Sequence, residues 1–430
     1  MKKKRVICFL LSTLVLSTSV GCGQTSSTQT GEAVDGTEVA ESTGAQTTAE
    51  IPSGTVSLTV WGAEEDQELL AEIVEGFKAE YAGKADFEIT ISPESESTSK
   101  ETLLGDVENG ADVFAFVDDQ MMALVAAGAL IPVENADKVA ETSNAGAVAA
   151  ATVNDTLYAY PMTADNGYFM YYNKEYFTES DVATLDGMLA VAEAAEKKIV
   201  MDWGSGWYLY SFFGNTGLTV GLSDDGITNY CTWNSTEGDI KGTDVAQAML
   251  NISASPGFQS MGSSEFLAGV QDGSVIAGVS GVWDATTIEA AWGKNYGAVK
   301  LPTYTCAGKQ VQMASFAGYK MVGANAYSDQ PYWSMKLAEW ITNEENQNLR
   351  FEKRSQGPAN LNAASSSAVQ ESPAIKAILA QSEFASLQRI GGKYWNPVMN
   401  FGNTMAAGNP DGSALQDLLD KMVEQITALN

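Results

Sequence analysis

Hydrophobic positions along the folded body follow two periods. Val56, Leu58 and Val60 alternate with Thr55, Ser57 and Thr59, the period of two expected of a half-buried strand, whose successive side chains leave on opposite faces. Trp61 and Gly62 are expected to end this strand. Leu69, Leu70, Ile73, Val74, Phe77 and Tyr81 then recur at intervals of three and four, the apolar stripe of a helix. Ahead of them stand Glu64, Glu65 and Asp66, carboxylates that suit the positive end of a helix dipole. Phe87, Ile89 and Ile91 alternate again, and 113–117 is a short apolar run after another helix. The order β-α-β-α-β predicts parallel strands joined by right-handed crossovers.

The same vocabulary continues downstream. Strands are predicted at 275–282 and 296–301 and helices at 245–252, 264–270 and 331–342. A last helix carries Leu415, Leu418, Leu419, Met422, Val423, Ile426 and Leu429 on one face. No internal repeat interrupts this α/β pattern. At 430 residues, 45% of them hydrophobic, the chain is long enough for two cores rather than one.

The N-terminus reads as an address. Lys2, Lys3, Lys4 and Arg5 precede the apolar run 6–16, which has signal-peptide length and is too short to span a bilayer. Ser19-Val20-Gly21-Cys22 resembles a bacterial lipobox, in which the cysteine becomes the lipid-modified first residue, although Leu is usual where Ser19 stands. The expectation is a lipoprotein signal peptide at 1–21 and a lipid on Cys22; plain cleavage near residue 21 would instead give a freely secreted protein. Residues 22–52 hold no aromatic, Lys or Arg and read as a flexible tether with a span of about 30 Å.

Charge narrows the partners. The formal net charge is −30, which leaves no basic surface for phosphates, so nucleic acid is not an expected partner. Loss of residues 1–21 removes four basic residues and no acidic one, taking the charge to −34. Such a field repels anionic solutes and is indifferent to neutral ones such as sugars. With no histidine, neither a Ser-His-Asp triad nor an imidazole metal site can form, and no metal or cofactor is expected. The cysteines outside the signal peptide and lipobox, Cys231 and Cys306, form no C-x-x-C pair; an extracellular disulfide and two buried thiols are both open.

A set of blocks carries a family resemblance. Leu58-Thr59-Val60-Trp61, Gly76-Phe77-Lys78-Ala79-Glu80-Tyr81, Gly110-Ala111-Asp112-Val113-Phe114-Ala115-Phe116 and Ala127-Gly128-Ala129-Leu130-Ile131-Pro132 resemble the N-terminal lobe of the maltose-type solute-binding proteins of ABC sugar importers. Leu157-Tyr158-Ala159-Tyr160-Pro161 and Tyr171-Tyr172-Asn173-Lys174 resemble the first crossing strand and its end. Residues 266–273, Gly281-Val282-Trp283, 296–302 and 316–322 follow in the family's order. The resemblance implies a type II periplasmic-binding-protein-like fold: two α/β lobes, each a mainly parallel sheet flanked by helices, with the ligand in the cleft between them. It implies crossings near residues 162, 315 and 368. The N-terminal lobe would then be 53–162 and 315–368, and the C-terminal lobe 163–314 and 369–430.

It also implies site residues. A sugar presents C–H faces and a rim of hydroxyls, so its site needs flat aromatic surfaces and planar hydrogen-bonding groups. Trp61, Trp203, Trp207, Trp283 and Trp395, among nine tryptophans, stand beside Gly, Ser, Asn or Asp, as loop residues often do. By position, Phe116 matches a stacking aromatic of the family, although it also ends an apolar strand and suits a core. Asp119 matches a hydroxyl-binding carboxylate, Trp283 the principal stacking tryptophan, and Trp207 a stacking tyrosine, with Tyr208 the competitor if the match slips by one. Asp165 falls where the family has a ligand-binding carboxylate, and Glu64 or Glu65 lies at the end of the first strand; each of these acids could equally be a surface charge. Trp395 and Phe401 are alternatives for a late aromatic, or core residues. Gln120 stands where maltose binders often carry arginine, which alters the hydroxyl pattern favoured.

The function implied is an extracellular, membrane-anchored, monomeric subunit that captures oligosaccharides, malto-oligosaccharides first, and delivers them to the permease of an ABC importer. The chain has no G-x-x-x-x-G-K-[ST] loop, so ATP hydrolysis falls to other subunits. Two rivals remain: a binder of another oligosaccharide or neutral solute, and a secreted glycoside hydrolase, whose paired carboxylates need no histidine.

Overall fold

A computed structural model describes residues 51–223 and 227–429; the expected signal segment, Cys22 and the tether up to residue 50 lie outside the described residues. Pro52 already belongs to the body, its carbonyl accepting the Trp333 indole N–H at 2.9 Å.

The first strand forms where alternation predicts it. β1 (Thr55–Gly62) buries Val56, Leu58 and Val60 and turns Thr55 and Ser57 to solvent. It ends on Trp61 and Gly62, as expected, and both residues still pair in register with the end of β2 (Asp86–Pro93). Between these strands α1 (Gln67–Glu80) buries Leu69, Leu70, Ile73, Val74 and Phe77, with Glu64–Asp66 as a 3-10 turn at its head. β3 (Val113–Val117) joins the other side of β1, and both pairings are parallel.

β4 (Tyr160–Gly167) leads out of this lobe and into β5 (Phe169–Asn173), with Tyr168 alone between them. The second lobe adds β6 (Lys198–Val200), β7 (Phe258–Gln259), β8 (Val275–Ser280) and β9 (Tyr296–Val299), in the order β7-β6-β8-β5-β9. β10 (Ser315–Ala324) returns to the first sheet and lies antiparallel to both β3 and β4; β11 (Ala385–Leu387) adds in parallel beside the start of β10. The result is an α/β two-lobed fold. Its sheets are parallel through β2-β1-β3 and β7-β6-β8, and antiparallel at the strands that lie next to the crossings.

Each lobe closes its own core. The first packs β1, β3 and α1 against Met321, Val322, Trp333, Leu337 and Ile341. The second packs Tyr168, Trp203, Phe213 and Trp233 against Leu419, Met422 and Ile426 of the last helix, with the Phe213 and Trp233 rings stacked at 4.1 Å. Three expectations shift. The strand expected over 275–282 stops at Ser280, since Val282–Asp284 coil into a 3-10 turn. The strand expected over 296–301 ends at Val299. Leu429 falls beyond the last helix, Leu415–Ile426, and is 83% exposed, so it is not part of the apolar face.

The head of α1 is fixed by charge. Asp66 is buried against Arg350, and the Arg354 Nε donates to its other oxygen at 2.9 Å. Burial alone would raise the Asp66 pKa, but the Arg350 and Lys320 charges outweigh it and hold the carboxyl below its usual range. Removing one member of a buried pair strands the other charge in a low dielectric. Arg350→Met is expected to lower unfolding free energy by about 3–5 kcal/mol, read by urea denaturation; a change under ~1 kcal/mol would contradict the assignment.

Candidate ligand-binding cleft

The crossing at residue 168 organises the site. Tyr168 is fully buried; its hydroxyl donates to the Trp207 carbonyl at 2.7 Å and accepts the Phe316 N–H, on the second crossing, at 3.2 Å. Its ring meets Trp207 and Tyr208 edge-on, at 5.5 and 5.0 Å. One side chain thus ties both interlobe strands to an aromatic pair at the head of the helix Gly206–Phe213.

Beside that pair opens a cavity of about 450 Å³ with walls of different chemistry. Trp207, Tyr208, Trp283 and Trp395 come from the second lobe, and Ser97, Lys100, Glu101, Asp119, Gln120 and Asn166 from the first. Every one of the aromatics stands in the first turn of a helix or in the turn before one. Trp283 sits in the 3-10 turn that replaces the end of the predicted strand, a turn braced by the Ser280 hydroxyl donating to the Asp284 carboxylate at 2.6 Å. Trp395 opens the helix Trp395–Ala406. On the facing wall Asp119 and Gln120 occupy the turn after β3, at the carboxyl end of a parallel strand, where open α/β sheets place their ligands.

Gln120 is occupied with architecture. Its amide donates to the Glu96 and Ser97 carbonyls at 2.8 and 2.9 Å, and its carbonyl accepts the Lys100 N–H at 3.1 Å. It therefore shapes the turn and the head of the short helix Ser99–Gly105 that supply Ser97, Lys100 and Glu101 to the cavity. Beneath this wall Lys320 pairs with Glu96 at 3.2 Å and approaches the Trp283 ring at 6.0 Å. Burial pulls its pKa down, but Glu96, Asp66 and Asp165 outweigh that and keep it charged.

Asp119 has one oxygen held by the Gln388 amide at 2.5 Å, while its other oxygen, Oδ1, is buried without a partner. Burial, reinforced by the neighbouring Asp118, raises its pKa to about 7. Asp118 is itself paired with Arg389 at 2.9 Å and accepts the Tyr319 N–H at 2.8 Å.

The structure brings Asp119, Trp207, Trp283 and Trp395 together at this cavity, and Tyr208 joins Trp207 there. It places the other candidates elsewhere. Phe116 is 0% exposed in the first core, leaving no face for a ring to stack on; pleating turns its neighbour Val117 to the cavity instead. The same alternation sends Asp165 away: it is 3% exposed and accepts the Gly357 N–H, while Asn166 lines the cavity. Phe401 is 4% exposed and packs in the second core, nearly two turns beyond Trp395 on the same helix. Glu64 and Glu65 are exposed and outside the cavity wall, Glu65 lying 3.9 Å from Arg354. Trp203 is buried in the second core and Trp61 lies within β1.

Asn166 could have been found as the alternate face of the strand carrying Asp165. Gln388 has no such signal, since it reaches the cavity from a segment far along the chain. Among the described residues no group of three or more acidic or cysteine side chains is placed to hold a metal ion.

Such a molecule is a two-lobed binding protein whose opposed aromatic and polar walls meet across a cleft. Residues 72–377 match the bacterial extracellular solute-binding proteins, and the chain belongs to that family. Its members capture solutes without converting them, so the fold serves binding rather than catalysis. A galactooligosaccharide-binding protein of Bacillus subtilis (strain 168) is 26% identical over 369 residues, 82% of this chain and 85% of its own. A structure solved with acarbose is 28% identical, with a TM-score of 0.77, covering 87% of this chain and 99% of its own. A maltodextrin binding protein from L. casei BL23, solved without ligand, is 24% identical with a TM-score of 0.73, covering 87% of this chain and 100% of its own, and shows the shared fold.

Cys231 and Cys306 are free thiols. Burial pushes their pKa values to about 12 and about 11. Thiol titration of a chain starting at residue 51 should detect two thiols under denaturing conditions and none quickly under native ones; a zero count after denaturation would show a disulfide instead.

Proposed function

We propose that this chain captures a neutral oligosaccharide, a malto-oligosaccharide in the first instance, by closing its lobes on it, and hands it to the permease of an ABC importer. The observation that carries this reading is the contrast between the cleft walls: indole and phenol rings beside Ser205 on one lobe, amide, hydroxyl, carboxyl and ammonium groups on the other. A pyranose has the matching two-sidedness, with C–H faces for rings and a rim of hydroxyls for planar polar groups. Contact with both walls is made only when the lobes meet, so ligand favours the closed form by the difference in its contacts. The resemblance of the N-terminal segment to a lipoprotein signal supports a monomer tethered through Cys22 to the outer face of the cell membrane.

A second reading keeps the class and changes the sugar. The Bacillus subtilis relative is a galactooligosaccharide-binding protein, and Gln120 in place of arginine removes a fork of donors. Calorimetry with maltotriose, maltotetraose, acarbose and galactotriose discriminates the two. Micromolar binding of the α-glucans supports the first, galactotriose alone the second, and binding of none rejects both. Trp283→Ala should weaken the preferred sugar about thirtyfold, as loss of a central aromatic costs about 2 kcal/mol. Chromatography of the incubated sugar should show no products. For the anchor, Cys22→Ser should move the protein from the membrane fraction to the medium, and retention of the variant at the membrane would refute lipid attachment at that residue.

A further inference from the structure

The segment from β11 to residue 391 runs between two helices of the second lobe, Pro373–Ser382 and Trp395–Ala406, yet it is bonded to both lobes. On the first lobe's side, Ala385–Leu387 pairs with Ser315–Ala317, and the Gln388 N–H donates to the Ala317 carbonyl at 3.1 Å. On the other side, the Arg389 carbonyl accepts the Leu222 N–H at 3.1 Å, and the Gly391 N–H donates to the Asn229 side chain at 2.7 Å. From this strap two adjacent side chains reach two adjacent acids: Gln388 to Asp119, and Arg389 to Asp118. The Arg389 guanidinium also donates to the Gln388 carbonyl at 2.9 Å, which stiffens the pair.

We propose that Gln388 is a positioning residue for ligand recognition: it grips one oxygen of Asp119 and so fixes the orientation in which that carboxylate meets a hydroxyl of the bound solute, with Arg389 anchoring the grip through Asp118. The inference rests on the binding function proposed above. Its geometric basis is the contact between Gln388 and Asp119, two residues that both line the cavity, made from a strap bonded to both lobes. Gln388 is suited to the task because an amide donates to a carboxylate without adding charge.

A pH dependence follows. The charged groups around Asp119 are Asp118 on its own turn, Arg389 on the strap, and Lys100 with Glu101 on the short helix Ser99–Gly105 of the same wall. Burial and Asp118 prevail over Lys100 and Arg389, leaving the Asp119 carboxyl titrating at about 7. Ionised, it accepts from Gln388 and from the solute together; protonated, it loses an acceptor. Affinity therefore falls as pH drops through 7, by about tenfold between pH 8 and 6 if only the ionised form binds.

The test is calorimetry of the lipid-free chain with maltotetraose and with galactotriose from pH 5 to 8. Wild type should lose about tenfold between pH 8 and 6, and Asp119→Asn should flatten that profile. Gln388→Ala should bind about tenfold more weakly throughout. Gln388→Glu, nearly isosteric, faces one carboxylate with another and must share a proton to close the contact. Its affinity should rise as pH falls, the reverse of wild type. A role confined to stability would lower the unfolding temperature without reversing that slope. Gln388→Ala and Gln388→Glu matching wild type in affinity and slope would overturn the proposal while leaving the binding function standing. A wild type that binds neither sugar would remove both.

Discussion

The antiparallel pairing of β10 with β4 is the constraint on which the molecule turns. Both strands pass from one sheet towards the other, and they are hydrogen-bonded to each other where they do so. The lobes consequently share a backbone connection that can bend but cannot slide, since a one-residue slip would exchange the side chains that β10 packs on its two faces. Tyr168 fastens this connection to the ligand cavity. Its hydroxyl spans from the Phe316 amide on one crossing to the Trp207 carbonyl, so the aromatic wall is referenced to the pivot rather than to the body of its own lobe.

The rest of the cleft follows from where α/β chains end their strands. Asp119 and Gln120 follow β3, and Trp283 follows β8. Side chains in these turns point into the gap because the strands behind them run towards it. The polar wall is further organised by groups that make no claim on the solute: Gln120 holds the turn of Ser97 and the helix head at Lys100, and Lys320 with Glu96 underlies the contact with Trp283. Second-tier placement of this kind keeps a site rigid enough for its geometry to select.

How far the sequence foretells this varies by scale. Alternation in 55–60 and the three-four spacing of 69–77 find β1 and α1 because one face of each is buried against a single core. The resemblance supplies what periodicity cannot, namely that distant segments share a lobe. Of the positions matched, Asp119, Trp207, Trp283 and Trp395, which stand in turns or first helical turns, line the cavity. Phe116 and Asp165, which stand within strands, do not line it, because there a displacement of one residue exchanges cavity for core. Gln388 was invisible for another reason. Its partnership with Asp119 spans 269 positions, and an amide in a polar stretch carries no mark of which carboxylate it will meet.

The topology also has a consequence for how the molecule comes into being. β10 is an inner strand of the first sheet, yet the bond that seats Tyr319 on Asp118 joins residues 201 positions apart. An exported chain emerges from its N-terminus, so the first lobe must wait for residues 315–341 before its sheet and core are complete. Pairings of such long range are slow to form. The first lobe therefore stays open until the segment that also forms the second crossing is in place, so neither lobe can be finished much before the other.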